Sequence, residues 1–168
     1  MSPKGRRTGA RMIAEAAARC KALSGTWFKS KLSEHPCTLL SSSALNEEQR
    51  ESIRSLYLAN MSGLHSLMES SSLASHPDDG YFLHPEALYL IVNHDTHLIA
   101  FAMFKFEWDD LDFPENPVLY LYELQVVDSW RNQGIGALLM TRIEDLMIDH
   151  LQGGITKMVW NANYRDFQ

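Results

Sequence analysis

The apolar positions of this chain are spaced for helix up to about residue 68 and for strand from residue 88, with one more helix near the end. In ARMIAEAAARCKAL, Met12, Ile13, Ala16, Cys20 and Leu23 share one stripe among good helix formers, which predicts a helix from about Gly9 to Leu23. Gly25, Pro36 and serine clusters then break the pattern over 24–44, leaving a short strand near Cys37–Leu40. Asn46, followed by Glu47 and Glu48, is a helix N-cap with acids in the first turn. The apolar face of that second helix uses Ile53, Leu56, Tyr57, Met61, Leu64 and Met68. The segment SSSLASHPDDG, residues 70–80, is turn chemistry throughout and predicts a loop.

Three strands follow: LYLIV (88–92), HLIAFAMFKF (97–106) and PVLYLYELQVV (117–127). Asn93–Thr96 suits a tight hairpin between the first two, and the acidic linker WDDLDFPEN joins the second to the third. Ile135, Leu138, Leu139, Ile143, Leu146 and Met147 then recur at helical spacing, ended by Gly153 and Gly154. KMVWNA (157–162) reads as one more strand. Helices, an antiparallel meander and a βαβ crossover together predict an α+β domain with a mixed sheet.

Composition narrows the class. A length of 168 residues suits one domain, and 45% hydrophobic with 21% charged residues excludes wholesale disorder. No apolar run approaches the ~20 residues of a membrane helix. The opening MSPKGRRTGARM is basic without an apolar core, unlike a secretory signal. Cys20 and Cys37 read as reduced thiols, and no CxxC, HExxH or paired Cys/His spacing predicts a metal site. The expectation is a soluble intracellular protein.

Charge is uneven. Residues 1–31 carry eight of the fifteen Lys/Arg against Glu15 alone, so this leader is +7 and the remaining 32–168 is −13 within a net −6. A basic leader can bind nucleic acid, carry a nuclear address, fold back on the body or stay solvated. The acidic body repels phosphate and favours a cationic peptide.

The chemistry concentrates between Leu119 and Met140. A strand, LYLYELQVV, passes through Asp128-Ser129-Trp130 into Arg131-Asn132-Gln133-Gly134-Ile135-Gly136 and directly into the helix ALLMTRIEDLM. Strand, glycine turn and helix N-terminus make an anion site, with free N–H groups and a favourable dipole. Gly134 and Gly136 allow close approach of a phosphate, and Arg131 adds a charge-assisted donor. Neither GxxxxGK[ST] nor GxGxxG is present, which argues against Walker-type and dinucleotide loops.

This arrangement resembles motif A of the GCN5-related N-acetyltransferases (GNAT), whose Q/R-x-x-G-x-G/A loop holds the pyrophosphate of acetyl-CoA. VLYLYELQV before the loop, the Asn60-Met61 pair and FKFEWDD narrow the resemblance to the NatD branch, the Nα-acetyltransferase 40 type, over roughly residues 45–160. That branch acetylates the N-termini of histone four and histone two-A. The implied fold is the GNAT α+β fold: a mixed, mostly antiparallel sheet with helices on both sides, its C-terminal part incomplete here.

The resemblance also implies roles. Leu124, Gln125 and Val126 would offer backbone groups to the acetyl-pantetheine arm, where an N–H can polarise the thioester carbonyl. Asn132, Gln133, Gly134, Ile135, Gly136 and Ala137 would hold the pyrophosphate, with Arg131 beside them. Tyr120 and Tyr122, two apart on one strand face, would line the peptide entrance or else belong to the sheet core. Glu123 is the expected general base; an α-amine of pKa ~7.7–8.0 needs only modest help to lose its proton. A regular strand points Glu123 to the opposite face, and the family's strand is splayed or bulged there; the plain alternative is a solvated or salt-bridged carboxylate. Glu107 and Asp109 align with two acids that hold the substrate tail, reinforced by Asp110 and Asp112, or they form an acidic surface loop.

Two departures stand out. His65 occupies the place of a pocket tyrosine, where it would donate a hydrogen bond to the peptide or else is a helix-surface histidine, and the tryptophan expected soon after is missing from LMESSSLASH. The chain ends at Gln168 after WNANYRDFQ, where the family continues with a further helix and strand pair; Asn161 and Asn163 fall where cofactor contacts would lie. The reading is an Nα-acetyltransferase of Ser-Gly-Arg-Gly histone tails, using acetyl-CoA and no metal, in cytoplasm and nucleus, without direct nucleic-acid or membrane partners. Its alternatives are a GNAT acting on a small amine or lysine, and an inactive remnant that binds CoA or a histone tail.

Overall fold

The computed structural model of the chain describes residues 3–23, 27–28, 35–68, 79–108, 117–150, 155 and 157–160. Among these residues four α-helices, α1 (Pro3–Ala22), α2 (Glu47–Met68), α3 (Asp79–Phe82) and α4 (Ile135–His150), accompany six strands. The strands are β1 (Trp27–Phe28), β2 (Cys37–Ser41), β3 (Leu88–His94), β4 (His97–Trp108), β5 (Pro117–Val126) and β6 (Met158–Trp160). They form one sheet in sequence order. Each of β1 to β4 pairs antiparallel with the next, and β6 returns through α4 to lie parallel to β5. The expected meander followed by a crossover is therefore present.

Both faces of the sheet are covered. On one side Leu88, Leu90, Val92, Ala100, Ala102 and Phe104 pack with Ala16 and Cys20 of α1 and with Leu139, Ile143 and Leu146 of α4. On the other, Tyr89, Ile91, Phe101 and Met103 meet Ile53, Leu56, Tyr57 and Met61 of α2 and Phe82 of α3. Burial on two faces explains why β3 and β4 read as continuous apolar runs rather than as alternation. The Tyr89 hydroxyl, fully buried, donates to the Phe82 carbonyl and makes a second contact with Met103 Sδ.

Local signals decide most boundaries. Asn46 Oδ1 accepts from the Gln49 N–H at 2.8 Å while Gln49 Oε1 accepts from the Asn46 N–H at 3.0 Å, a reciprocal cap that starts α2 where the sequence places it. Asp95, at φ 53, turns the β3–β4 hairpin, with a register shift beside it at Val92/Asn93.

The differences from expectation have physical reasons. α1 begins at Pro3 rather than near Gly9, because PKGRRT carries no apolar stripe for a periodicity to detect. The loop expected over 70–80 gives way at Asp79 to the single turn α3, and β1 is too short to leave a pattern. The Gly153–Gly154 stop lies outside the described residues. Among the described residues no helix is long and apolar enough to cross a membrane.

Candidate active site

Beyond Val126 a short 3-10 turn, Asp128–Trp130, redirects the chain into α4. Trp130 N–H donates to the Val127 carbonyl at 2.8 Å and Arg131 N–H to Asp128 at 3.1 Å. Asn132 (φ 60) and Gly134 (φ 79) then take left-handed backbone, which costs an L-residue but not glycine. The first helical bond is Leu138 N–H to Gly134 O at 2.9 Å. Among the described residues, no backbone carbonyl accepts from the N–H groups of Gly134, Ile135, Gly136 or Ala137. Four successive donors are thus left at a helix N-terminus, the arrangement that favours an anion. Ile135 is buried and anchors the turn. A Cβ at Gly136 would meet only Leu124 Cδ2, at an ordinary 3.6 Å, so folding alone does not demand glycine there.

Arg131 lies beside this row but folds back on the end of β5. Its Nη2 donates to Asn60 Oδ1 at 2.8 Å, its Nη1 sits 3.2 Å from Asp128, and its Nε reaches the Val126 carbonyl at 3.4 Å. Gln133 Nε2 donates to the Ser129 carbonyl at 3.0 Å.

β5 itself is irregular. Met103 pairs with Glu123 but Phe104 pairs with Leu121, so Tyr122 is an extra residue opposite the β4 ladder. The alternation inverts at that bulge. Leu119, Leu121, Leu124 and Val126 face α1 and α4, whereas Tyr122 faces α2 and α3. Glu123 joins Tyr122 on that side instead of pointing away from it. Among the described residues β6 pairs with β5 only over Leu119–Leu121, so Tyr122–Val126 is flanked by β4 alone.

Glu123 is consequently half-buried and held from two directions: Tyr81 Oη donates to Oε1 at 2.7 Å and Gln125 Nε2 to Oε2 at 2.8 Å. Burial raises its pKa above the usual carboxylate value, and the two donated bonds only partly oppose this. Asn60, on α2, donates from Nδ2 to Gln125 Oε1 at 2.9 Å and to the Val126 carbonyl at 3.1 Å.

Tyr120 and Tyr122 lie with ring centroids 4.7 Å apart, as their spacing predicts, and Tyr81 meets Tyr122 edge-on at 6.2 Å. The Tyr122 hydroxyl donates to Glu107 Oε1 at 2.5 Å. Burial and the Glu107 carboxylate raise the phenol's pKa, keeping it a neutral donor. Lys105 Nζ sits 2.8 Å from the same oxygen and 4.4 Å from the Tyr122 ring centroid. Glu107 therefore joins the tyrosine pair, with its charge already met by Lys105. Asp109, Asp110, Asp112, Asn161 and Asn163 lie outside the described residues. His65 falls within α2, and its side chain is not among those described.

Three participants escape a sequence reading of the site. Asn60 had a detectable signal, an amide set among Leu56, Tyr57 and Met61 on an apolar stripe. Tyr81 and Lys105 had none.

Residues 50–167 match the acetyltransferase (GNAT) family, and the chain belongs to that family. No curated protein matches it closely enough to count as a relative. Among solved structures it is similar to an aminoglycoside acetyltransferase from an uncultured soil metagenomic sample, at 16% identity and TM-score 0.53, covering 77% of this chain and 78% of that one. A ribosomal-protein-alanine N-acetyltransferase from Brucella melitensis biovar Abortus 2308 aligns at 18% identity and TM-score 0.53, covering 77% and 80%. AAC(6′)-Iy, solved with the bisubstrate analogue CoA-S-monomethyl-acetylneamine, aligns at 18% identity and TM-score 0.52, covering 77% and 82%. These likenesses establish the GNAT fold. The narrower NatD branch rests on the residues alone, since none of the three structures is named for a histone.

Proposed function

We propose that this GNAT acetyltransferase transfers the acetyl group of acetyl-CoA to the α-amine of a basic, histone-type tail beginning Ser-Gly-Arg-Gly, with Glu123 as general base. The observation that carries the reading is the bulge at Tyr122–Glu123. It puts a half-buried carboxylate beside the tyrosine pair, on the strand that runs directly into the row of free N–H groups.

The residues divide the work. The N–H groups of Gly134 to Ala137 suit a diphosphate, Gly136 keeps a Cβ out of its way, and Arg131 stands beside it. Among the described residues only β4 pairs with Leu124, Gln125 and Val126, whose backbone would meet the pantetheine arm. Acetyl-CoA supplies the acetyl group as a thioester. Glu123 takes a proton from the substrate ammonium, directly or through one water, and the free amine so formed attacks the thioester carbonyl. The C–N bond forms as the C–S bond breaks, and CoA leaves as the thiolate, which takes up the proton lost by the new amide nitrogen. The raised pKa of Glu123 lies closer to that of an α-amine, ~7.7–8.0, than an ordinary carboxylate's does, which eases the proton transfer. Tyr120 and Tyr122 flank the acceptor, and Glu107 meets the tail's guanidinium by exchanging Lys105 for it. Asp109 and His65 complete the proposed tail site. The acidic body fits a cationic peptide rather than nucleic acid or membrane, and a histone substrate places the enzyme in cytoplasm and nucleus.

The test is mass spectrometry of a Ser-Gly-Arg-Gly-Lys peptide incubated with the chain and acetyl-CoA. One acetyl group confined to the α-amine, and lost on Glu123→Gln, is the expected result. Acetylation of spermine or of the lysine side chain instead would overturn the tail specificity. A melting temperature raised by CoA without product would identify a binding remnant.

A further inference from the structure

The carboxylate and the loop are joined by an unbroken line of side chains. Arg131 Nη2 donates to Asn60 Oδ1 (2.8 Å), Asn60 Nδ2 to Gln125 Oε1 (2.9 Å) and Gln125 Nε2 to Glu123 Oε2 (2.8 Å). The polarity of this line is fixed at its start. A guanidinium can only donate and the Val126 carbonyl can only accept, so Asn60 has one orientation that satisfies both. That orientation turns the Gln125 oxygen toward Asn60 and leaves the Gln125 N–H to face Glu123. A reversed Gln125 amide would set its oxygen against the carboxylate, an arrangement that only the protonated acid tolerates.

We propose that Asn60 is a positioning residue which, by locking the Gln125 amide, keeps Glu123 in its proton-accepting state and ties the base to the cofactor loop. This rests on the reading of Glu123 as general base. Asn60 is the joint because, among the described residues, it alone touches both halves: Arg131 of the loop, and Gln125 beside the carboxylate. The other groups facing Glu123 leave this role open. From α3, Tyr81 donates to the opposite oxygen, Oε1. From β3, the Tyr89 hydroxyl is committed to Phe82 and Met103. From β5, Tyr122 gives its proton to Glu107, which Lys105 of β4 neutralises. Only Gln125 holds Oε2 among the described residues, and only Asn60 determines which end of Gln125 does so.

The experiment is a ¹³C-NMR titration of the Glu123 carboxyl in the full chain carrying ¹³C-labelled glutamate, with the resonance assigned by Glu123→Gln. Asn60→Ala should raise the titration midpoint by about one pH unit, the scale of one lost donor to a carboxylate. In a Gln125→Leu background the same substitution should move it no further. The acid limb of the kcat/KM profile for the peptide should move with the midpoint. An unchanged midpoint in Asn60→Ala, or an equal shift in both backgrounds, would overturn the proposal. Should Asn60→Ala fail to fold, Asn60→Asp keeps the volume and the acceptor for Arg131. Its shift should then be larger with Gln125 present than in the Gln125→Leu background, and equality would be fatal. The titration needs no substrate. A chain that transfers no acetyl group sinks the proposed function alone, and an active enzyme with an unmoved midpoint sinks the positioning role alone.

Discussion

The N–H row at Gly134–Ala137 and the carboxylate of Glu123 sit on one continuous run of chain, yet different means hold them. The loop's own shape is local: bonds such as Gln133 Nε2 to the Ser129 carbonyl and Leu138 N–H to Gly134 span four residues, Arg131 alone reaches out to Asn60, and the donors it offers an anion are backbone. The carboxylate is long-range: its partner Tyr81 is 42 residues away, and Gln125 is fixed by Asn60 from 65 residues away. A loop of that kind tolerates side-chain change so long as its backbone shape survives. The carboxylate's proton affinity exists only once helix, turn and strand have assembled around it.

The two regions should therefore fail separately. The largest effect is expected from Glu123→Gln, which should lower kcat by about 10²–10⁴-fold while leaving CoA affinity by calorimetry unchanged. The same variant tests the burial of the charge. The folded-state pKa of Glu123 is raised above its ordinary 4.5, so the folded chain binds this proton more tightly than the unfolded one. Stability from this group is present below about pH 4.5 and is lost as the pH rises through the folded value. Melting curves should then show Glu123→Gln gaining on the native chain from pH 4 to pH 8; a gap that narrows instead would refute the burial argument.

Gly136→Ala comes next and strikes the other region. It should shift a urea midpoint by less than about 0.5 kcal/mol of stability, since the added carbon meets only Leu124 at 3.6 Å. CoA affinity should nonetheless fall about tenfold, or ~1.4 kcal/mol. Gly134→Ala is the contrasting variant, losing about 1–2 kcal/mol of stability to its φ of 79°.

Tyr81→Phe should act more gently, removing one of the two donors to Glu123. Its pKa rises further, so the acid limb of the pH–rate profile moves to higher pH while the plateau above it stays; a uniform fall at all pH would contradict this. Asn46→Ala should touch neither region. It should cost about 1 kcal/mol of stability through the lost cap, with kcat and KM unchanged.

Much of this was legible in the sequence for the same reason that the loop is robust. Caps, hairpins and glycine turns are written within a few residues, so the start of α2, the turn at Asp95 and the RNQGIG loop could be read directly. The bulge could not. It exists only in the register between Met103–Phe104 and Leu121–Glu123, a relation between two strands that neither strand records alone. The resemblance to the family anticipated an irregular strand at Glu123, which periodicity by itself would have denied. Lys105 was equally hidden, since its pairing with Glu107 beneath Tyr122 depends on three side chains converging. The α1 leader showed its apolar stripe but not its berth beside α4, because a stripe says that a helix docks and not where.

That berth makes the molecule its own reporter. The two cysteines, Cys20 on α1 and Cys37 on β2, are fully enclosed in one core, and burial pushes each thiol up to about 12. Neither is a nucleophile toward alkylating reagents while the core is closed. Their rate of labelling counts opening events, as hydrogen exchange does for amides. With Cys37 replaced by alanine, the remaining signal follows α1 alone, so the lifting of the basic helix from the sheet can be timed apart from the unfolding of the sheet itself.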